Sequence, residues 1–459
     1  MRKHIKALFL LTIAFSGYHI AAAQNKNGFV RLFDGKTLKG WKTPDIKIPG
    51  NGFAVVNGQI IGRSNAAENT LLVSENEYTD FVLELDVKTD GTLADAGIQL
   101  HGQTVAVGYG TALTGTQCEI DPHSSKWTGG IFDTYQRGWL YPMDLNAKAQ
   151  SAFKIGKYNH IKVECIGNET KTWVNGIAAA DVVDTVNSKG FIGLQLHGIG
   201  TNAVNDGESI YFKNIRIKTT NLQPTPFPPG VYVVNYVSNT LTDYEKNDGW
   251  KLLFDGKTPA GWHSAGKTTF PEKGWIVGNG LMTVDPQVKD HPSGGDVLTD
   301  DQYSAFDLSF EFLTTPVANS GVKYFVMVDA KNGPLGLEYQ ILDDKLHPDA
   351  KLGRNGDRTE SSLYDLIART IPDGLSAIVK PVGEWNTGRI VVYPNNHVVH
   401  YLNGVKVLEY DRLSPEFKAL IAISKYQHYD GFGVGPKGYI LLQDHGCVVS
   451  FRSIKIKTL

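Results

Sequence analysis

The sequence has few cysteines, no excess of one charge sign and no familiar nucleotide or protease motif. Only 3 cysteines occur among 459 residues, and none forms a CxxC spacing, so neither a disulfide framework nor a cysteine zinc site is predicted. Buried free thiols are expected instead. Lys+Arg number 45 against Asp+Glu 47 without a basic stripe, which disfavours nucleic acid or an anionic membrane as partner. HExxH, GxSxG and Walker-loop motifs are absent, which removes the usual metalloprotease, serine-esterase and P-loop signals.

The longest apolar run lies near the N-terminus and is too short for a good membrane span. Arg2, Lys3 and Lys6 precede an apolar run at 7–16, and three alanines at 21–23 offer a cleavage site. This order predicts a signal peptide over residues 1–23 and a periplasmic or secreted protein. A buried N-terminal helix is the alternative. No cysteine follows the run, so a lipoprotein anchor and membrane insertion are not expected.

The chain contains an internal duplication. Leu-Phe-Asp-Gly-Lys-Thr at 32–37 recurs at 253–258, and the Gly-Trp at 40–41 recurs at 261–262. Trp-Val-Asn-Gly at 173–176 is matched by Tyr-Leu-Asn-Gly at 401–404, and the two repeats end on similar Phe-Lys/Arg-x-Ile segments. Landmarks that recur in one order predict two homologous domains, at 29–220 and 248–459. The linker 221–247 contains a proline-dense stretch, which predicts a stiff extended spacer.

Each repeat alternates apolar and polar residues and places Asn-Gly or Asp-Gly between apolar runs. Residues 81–87 and 306–312 show the period-2 pattern of half-buried strands. The turn dipeptides are the strongest short hairpin signal. These features predict an all-β protein of two β-sandwich or jelly-roll domains in tandem. One helix is predicted, over residues 414–426, because Ser-Pro begins it and apolar residues then share a face.

Polar side chains recur at alternate positions of three predicted strands in each repeat, which indicates one polar face per domain. Exposed antiparallel strands alternate in this way routinely, so an ordinary solvent face is the alternative. Amides, imidazoles and carboxylates suit sugar hydroxyls, because each donates or accepts in fixed geometry. We therefore expect a concave sugar-binding face. Its candidate residues are Gln99, His101, Gln117, Glu119, Asp121, Gln195 and His197 in repeat one, and Lys323, Glu338, Gln340, Gln443 and His445 in repeat two.

An aromatic loop follows the central strand of repeat one. Trp127 and Trp139 are candidates to stack on a sugar ring, while Asp121, Asp133 and Arg137 meet its hydroxyls. Packing of both tryptophans beneath the loop is the alternative. The parallel stretch of repeat two supplies the candidates Asp343, Arg354, Tyr364 and Asp365.

These motifs resemble the 3-keto-disaccharide hydrolase family, also described as 3-keto-glucoside 1,2-lyase/3-keto-2-hydroxyglucal hydratase. The resemblance rests on the Leu-Phe-Asp-Gly-Lys-Thr and Gly-Trp landmarks, on Glu-Tyr-Gln-Ile-Leu-Asp at 338–343 and on Leu-Gln-Asp-His-Gly at 442–446. It covers both repeats, and repeat one carries a variant, Gln-Cys-Glu-Ile-Asp-Pro at 117–122. It implies two concanavalin-like jelly rolls, export, and cleavage of 3-keto-glycosides by elimination and hydration.

The implied chemistry needs a base near C2, a donor for the leaving oxygen and a stabiliser for the enolate. In repeat two the candidates are His445 or Glu338 as base and Lys323 or Arg354 as stabiliser. In repeat one, Glu119 or His197 would be the base, with Arg137 stabilising. A divalent metal held by His and carboxylates is left open as a cofactor. A non-catalytic lectin-like protein and an ordinary glycoside hydrolase are the alternative functions.

Overall fold

A computed structural model describes residues 27–43, 52–63, 70–108, 110–198, 208–284, 295–329, 331–373, 375 and 378–459. The predicted signal peptide at 1–23 lies outside these residues. The described chain is almost entirely β-structure and forms two concanavalin-like jelly-roll domains, each made of two sheets packed face to face. The predicted all-β fold class is confirmed.

Within its described residues, repeat one supplies fifteen strands to its two sheets. They are β1 (Val30–Arg31), β2 (Trp41–Lys42), β3 (Phe53–Val56), β4 (Gln59–Arg63), β5 (Thr70–Tyr78), β6 (Phe81–Thr89), β7 (Ala96–Val107), β8 (Gly110–Ile120), β9 (Ile131–Thr134), β10 (Gly138–Tyr141), β11 (Asn159–Ile166), β12 (Glu169–Val174), β13 (Ile177–Val183), β14 (Gly190–Leu196) and β15 (Ser209–Lys218). The strand order β10-β9-β8-β7-β14-β5-β2 forms one layer, here named the floor sheet. The other layer, the backing sheet, has the order β13-β12-β11-β6-β15-β4-β3, with β1 paired to β15.

Repeat two follows the same plan with fewer strands. They are β17 (Lys251–Leu252), β18 (Trp262–Ser264), β19 (Trp275–Gly278), β20 (Leu281–Val284), β21 (Val297–Tyr303), β22 (Phe306–Thr314), β23 (Asn319–Asp329), β24 (Gly333–Leu342), β25 (Trp385–Val392), β26 (His397–Leu402), β27 (Val405–Asp411), β28 (Gly438–Leu442) and β29 (Val449–Thr458). Its floor sheet has the order β18-β21-β28-β23-β24. Its backing sheet has the order β19-β20-β29-β22-β25-β26-β27, with β17 paired to β29.

Helices are few and short. They are α1 (Ala147–Gln150), α2 (Asp243–Asn247) and α3 (Pro415–Ala422), with 3-10 turns at Met143–Asn146 and Pro348–Lys351. The predicted helix at 414–426 is observed as α3, which ends four residues earlier than expected. Ser414 caps it, since its hydroxyl oxygen accepts the backbone N–H of Phe417 at 3.1 Å. None of the helices among the described residues combines the length and apolar character needed to cross a membrane.

Alternation along each floor strand separates an apolar face from a polar one. In β8, Cys118 and Ile120 are fully buried against the backing sheet, whereas Gln117 and Glu119 point to the opposite side. All three cysteines are free thiols, as predicted; Cys118 and Cys165 are buried and Cys447 is half-buried. The period-2 pattern therefore positions one polar surface per domain.

The segment between the repeats packs on the first domain. Val234–Asn235 forms a short strand, β16, which pairs in parallel with β13 and extends the backing sheet of repeat one. Phe227 is buried against Trp173, with ring centroids 5.3 Å apart. The Tyr232 hydroxyl donates to Ser309 of repeat two at 2.9 Å. The segment thus contacts both domains along its length.

Candidate functional site

An open pocket of about 250 Å³ lies on the floor sheet of repeat two. Five of the residues predicted from the polar pattern line it, together with Tyr364 and with residues from the segment after α3. The lining residues are Asn319, Lys323, Pro334, Leu335, Gly336, Glu338, Gln340, Tyr364, Lys425, Tyr426, Tyr429, Gln443 and His445. The pocket therefore joins the floor strands to a roof contributed by a distant part of the chain.

Strand register positions the charged pair of this pocket. Lys323 in β23 lies directly opposite Glu338 in β24, and their Nζ and Oε2 atoms are 3.8 Å apart. Gly321 sits one alternation earlier, opposite Gln340. A Cβ on Gly321 would lie 2.6 Å from Oε1 of Glu338. Because Gly321 has no side chain, the carboxylate can lie across the strand toward Lys323.

The roof carries a second cation. The backbone N–H of Lys425 donates to Oδ2 of Asp365 at 2.7 Å, and its Nζ lies 3.9 Å from the ring centroid of Tyr364. The side chain is exposed at the pocket mouth, yet partial burial of its ammonium end lowers the pKa of Lys425, with the charge of Glu338 acting in the opposite direction. Two lysines thus flank one carboxylate within the pocket.

Two phenols of the pocket, those of Tyr364 and Tyr426, keep their protons. Burial is the first cause that raises the pKa of Tyr364, and its hydroxyl donates to Oδ2 of Asp349 at 2.7 Å. Burial also raises the pKa of Tyr426 well above its ordinary value. The Arg358 guanidinium donates to both Asp349 and Asp365, each at 2.8 Å. It thereby links the aspartate that accepts from Tyr364 to the one that accepts from Lys425. Both tyrosines are therefore hydrogen-bond donors at neutral pH.

The floor of repeat one is occupied by its own amides. Nε2 of Gln99 lies within hydrogen-bond distance of Gln117 Oε1 (2.6 Å), Thr134 Oγ1 (2.8 Å) and Gln195 Oε1 (3.0 Å). Nε2 of Gln117 then donates to Oε2 of Glu119 at 2.9 Å. Gln99, Gln117 and Glu119 are all buried. Four of the predicted polar residues of repeat one are brought together, and they largely satisfy one another: Gln99, Gln117, Glu119 and Gln195.

Three further groups meet at one end of this floor. Asp95, Glu119 and His197 each offer a ligand atom, and these atoms lie within 4.8 Å of one another. Burial raises the pKa of Glu119 well above its usual range, with the charge of Asp95 the next cause. Burial also raises the pKa of Asp95, against the effect of His197. The donor set of two carboxylates and an imidazole fits a divalent metal.

His101 does not lie on the polar floor, so the expectation that it shares a face with Gln99 is wrong. Its φ is 36°, and the pairing of β7 with β8 shifts register between Gln99 and Gln103. This bulge turns the imidazole toward the backbone oxygens of Thr79 (2.6 Å) and Asn187 (3.0 Å). The bulge recurs in repeat two, where Phe325 has φ 51° and enters the core.

Three other residues predicted to bind sugar stabilise loops and do not line the pocket of repeat two. Both carboxylate oxygens of Asp121 bind its own loop, through His123, Ser125 and the backbone N–H of Trp127. Asp343 accepts the backbone N–H of Val317 (2.9 Å) and others of its own turn. Arg354 donates to the backbone oxygen of Asp365 at 3.0 Å. Their charges are used in local folding. Asp365 holds Lys425 and Arg358 from behind the lining.

The tryptophans and the Asp133–Arg137 pair lie at the junction of the domains. Trp127 is buried, with its Nε1 3.2 Å from Oδ1 of Asp144, and packs edge-on against Trp139 at 4.6 Å. Arg137 bonds Asp133 at 2.6 Å, and Lys380 of repeat two donates to the Arg137 backbone oxygen at 2.6 Å. Packing under the loop, the alternative considered for both tryptophans, describes Trp127; Trp139 is half-buried.

This junction encloses a cavity of about 550 Å³ that includes Arg137 and Trp139 in its wall. Four cations of the wall are paired with acids, and a fifth, Lys380, donates to the Arg137 backbone oxygen, so the charged groups of the cavity have partners. The pairs are Arg137–Asp184, Arg389–Asp307, Arg452–Glu311 and Lys455–Glu245. The aromatic and charged residues expected to bind sugar beside the floor thus join the two repeats.

Sequence reasoning missed Lys425, Tyr426, Asn319 and Asp95. Asp95 lies two residues before Gly97, which is opposite β8, and Asn319 lies two residues before Gly321, which is opposite β24. A closer alignment of the two repeats would have matched these two positions. Nothing local marks Lys425 and Tyr426, because their place in the pocket depends on how the segment after α3 folds back.

The fold is that of two tandem β-sandwich domains, and the family and the relative that the chain matches make it a carbohydrate-active enzyme. A family model described as 3-keto-alpha-glucoside-1,2-lyase-like domain matches residues 28–218 and again 249–457. The chain belongs to this family, in two copies, and the resemblance found in the sequence is confirmed.

The chain is similar to one curated relative and to two solved structures. The 3-keto-disaccharide hydrolase of Bacteroides thetaiotaomicron is 35% identical over 237 residues, which are 46% of this chain and 79% of the relative. A crystal structure described as that of a glycosyl hydrolase from Parabacteroides distasonis is 29% identical, with a TM-score of 0.42, and covers 48% of this chain and 99% of that one. A second such structure from the same organism is 28% identical, with a TM-score of 0.33, and covers 46% and 99%.

Proposed function

We propose that the pocket of repeat two cleaves 3-keto-glycosides by elimination followed by hydration. The observation that carries this proposal is the convergence of Glu338, Lys323 and Lys425 in one open pocket on the floor sheet. Elimination at a ketone requires a base, cations at a developing enolate and a proton donor in one site. Export through the N-terminal segment is part of the same proposal and rests on the sequence pattern alone.

The ketone at C3 acidifies the C2–H bond. The base takes that proton, the electron pair forms the C1–C2 double bond through the enolate, and the C1–O bond breaks. Water then adds across the double bond, with its oxygen to C1 and a proton to C2. We assign the base to Glu338, since its carboxylate lies 3.8 Å from the Lys323 ammonium group and shares the pocket with Lys425, and these two cations can receive the enolate charge.

Donation to the leaving oxygen falls to a group that keeps its proton at neutral pH. Tyr426 lines the pocket with a raised pKa and is held by stacking on Phe432, with ring centroids 3.8 Å apart. Tyr364 already donates to Asp349. We therefore assign the donor to Tyr426. His445 is exposed at the pocket, so it remains the second candidate for the base.

The test compares a 3-keto-aryl glucoside with its unoxidised parent, using the purified protein. Release of the aryl group from the keto substrate alone supports the proposal. Performed in D₂O, elimination and hydration place deuterium at C2 of the product, whereas direct hydrolysis leaves hydrogen there; recovered substrate controls for spontaneous exchange. Cleavage of the parent glycoside would make the protein an ordinary glycoside hydrolase, and binding without release would make it lectin-like.

Glu338→Gln is the variant that assigns the reaction to this pocket. It keeps the shape and removes the base, so we expect keto-substrate cleavage to fall about 100- to 10,000-fold. The matched control is Glu416→Gln, the same change on the exposed first turn of α3, which should leave the rate unchanged. Equal rates in both variants would contradict the assignment.

A further inference from the structure

We propose that repeat one binds a divalent transition-metal ion through Asp95, Glu119 and His197. This site lies in the other domain from the pocket of the proposed reaction, and it does not depend on that reaction. Its three ligand atoms lie within 4.8 Å of one another.

Three adjacent strands bring the ligands together at one end of the floor sheet. Asp95 immediately precedes β7, Glu119 is in β8, and His197 immediately follows β14. The backbone N–H of His197 donates to the backbone oxygen of Asp95 at 3.0 Å, which fixes the two loop ligands relative to each other. Gly97 faces Glu119 across the ladder. Glu119 is therefore held by a strand, and Asp95 and His197 are held by the backbone hydrogen bond between them.

Two carboxylate oxygens at this point are buried without a partner. They are Oδ1 of Asp95 and Oε1 of Glu119, and Glu119 is only 5% exposed. Two acids this close repel one another, and a buried charge needs a partner, which a cation would supply to both. The other oxygen of Glu119 accepts from Gln117 at 2.9 Å. Such a bond orients a metal-binding carboxylate in its outer shell.

Repeat two provides an internal comparison. By strand register the same three positions hold Asn319, Gln340 and His445. The imidazole is retained and both acids are replaced by neutral amides, which offer a cation no charge. A metal site is thus specific to repeat one and is not a general consequence of the fold.

The donor set selects the kind of ion. Calcium and magnesium prefer all-oxygen sites, whereas imidazole together with carboxylates suits zinc, manganese, iron and similar ions. Three protein ligands leave coordination positions for water or for a sugar oxygen. The probes are therefore Zn²⁺ and Mn²⁺, with Ca²⁺ as the disfavoured comparison.

The first experiment measures binding without using activity. The full-length protein is stripped with a chelator, reloaded with each ion and passed through a desalting column, and its metal content is measured by mass spectrometry. We expect about one Zn²⁺ or Mn²⁺ per chain and a Tm higher by roughly 5–10 °C at a metal concentration near 100 Kd. Less than a tenth of an ion per chain, with an unchanged Tm, would overturn the proposal.

Variants then locate the ion. Glu119→Gln and Asp95→Asn each give repeat one an amide found in repeat two, and we expect a loss in affinity of at least 100-fold. His197→Gln should lose the ion as well, whereas His445→Gln, its counterpart, should keep it. Each variant's Tm without metal checks folding, and the wild-type Tm shift stands even if one variant fails to fold. Retention in Glu119→Gln with loss in His445→Gln would place the ion in repeat two and overturn the proposal.

Discussion

Each repeat has its own floor sheet, and the two sheets differ in what covers them. In repeat two, 26 residues separate β27 from β28 and include α3 and the roof residues Lys425 and Tyr426. In repeat one, the corresponding connection from β13 to β14 has only six residues. The scaffold therefore supports a covered pocket in one domain and a short loop in the other without a change in strand order.

The floors differ by an exchange of neighbouring side chains. Glu338 and Gln340 of repeat two occupy the positions that correspond to Gln117 and Glu119 of repeat one. The acid and the amide have therefore exchanged positions along the strand. Lys323 likewise corresponds to Gln99. One floor thus pairs its acid with a lysine, and the other links its amides to each other. The lesson is that a shared backbone fixes positions, whereas chemistry depends on a few side chains.

Among the changes that test the difference between the two floors, removal of the roof cation should lower the cleavage rate most. Lys425→Met keeps much of the side-chain bulk and removes the charge beside Glu338, so we expect cleavage of the keto substrate to fall about 100-fold or more. Lys418→Met, on an exposed position of α3, is the matched control. Steady-state rates on the keto substrate measure both. A rate near wild type for Lys425→Met would mean that the roof does not act in the reaction.

One added methyl group in each repeat sharpens the comparison. A Cβ on Gly321 would press on Glu338, and a Cβ on Gly97 would collide with the Gln117 side chain. We expect Gly321→Ala to lower the cleavage rate about tenfold and to leave metal content unchanged, because the displaced group is the base. Gly97→Ala should instead weaken metal binding about tenfold, because Gln117 orients Glu119. The reverse pattern in the same two assays would contradict both site assignments.

The sequence could predict much of this division and not the rest. Period-2 alternation and the internal duplication sufficed to place Glu338, Gln340, Gln443 and His445 on one face, because both signals are local. The orientation of His101 was predicted wrongly, because a bulge with positive φ at a non-glycine residue leaves no clear mark in the alternation of apolar and polar residues.

Contacts between distant segments account for the other misses. Lys425 lies almost ninety residues after Glu338, so only the folded connection reveals their proximity. Trp127 resembles a stacking platform in the sequence, and its burial is decided by how α1 and the preceding 3-10 turn pack at the domain junction. Asp95 is recognised as a site residue only from the strand register, which makes it the counterpart of Asn319 in repeat two.

The last predicted effect concerns stability, and a property that both repeats have. Each buries a carboxyl group whose pKa is raised to about 8: Asp181 in β13, and Glu360 in the connection between β24 and β25. Burial is the main cause in both, followed by the charge of Glu169 for Asp181 and of Asp344 for Glu360. Because these pKa values exceed the ordinary values near 4, the stability is fully present below about pH 4 and is lost as the pH rises through about 8.

Replacing either acid by its amide should flatten this dependence. We expect Asp181→Asn and Glu360→Gln each to raise the free energy of unfolding at pH 8.5, relative to its value at pH 5, by ~4 kcal/mol. Urea unfolding at the two pH values measures this, and Asp373→Asn on an exposed turn is the control. Similar gains in both variants would show that each repeat buries an acid of raised pKa, at positions that do not correspond in the strand register. A gain in one repeat alone would make this a further difference between the repeats, and no gain in either would contradict the raised pKa values.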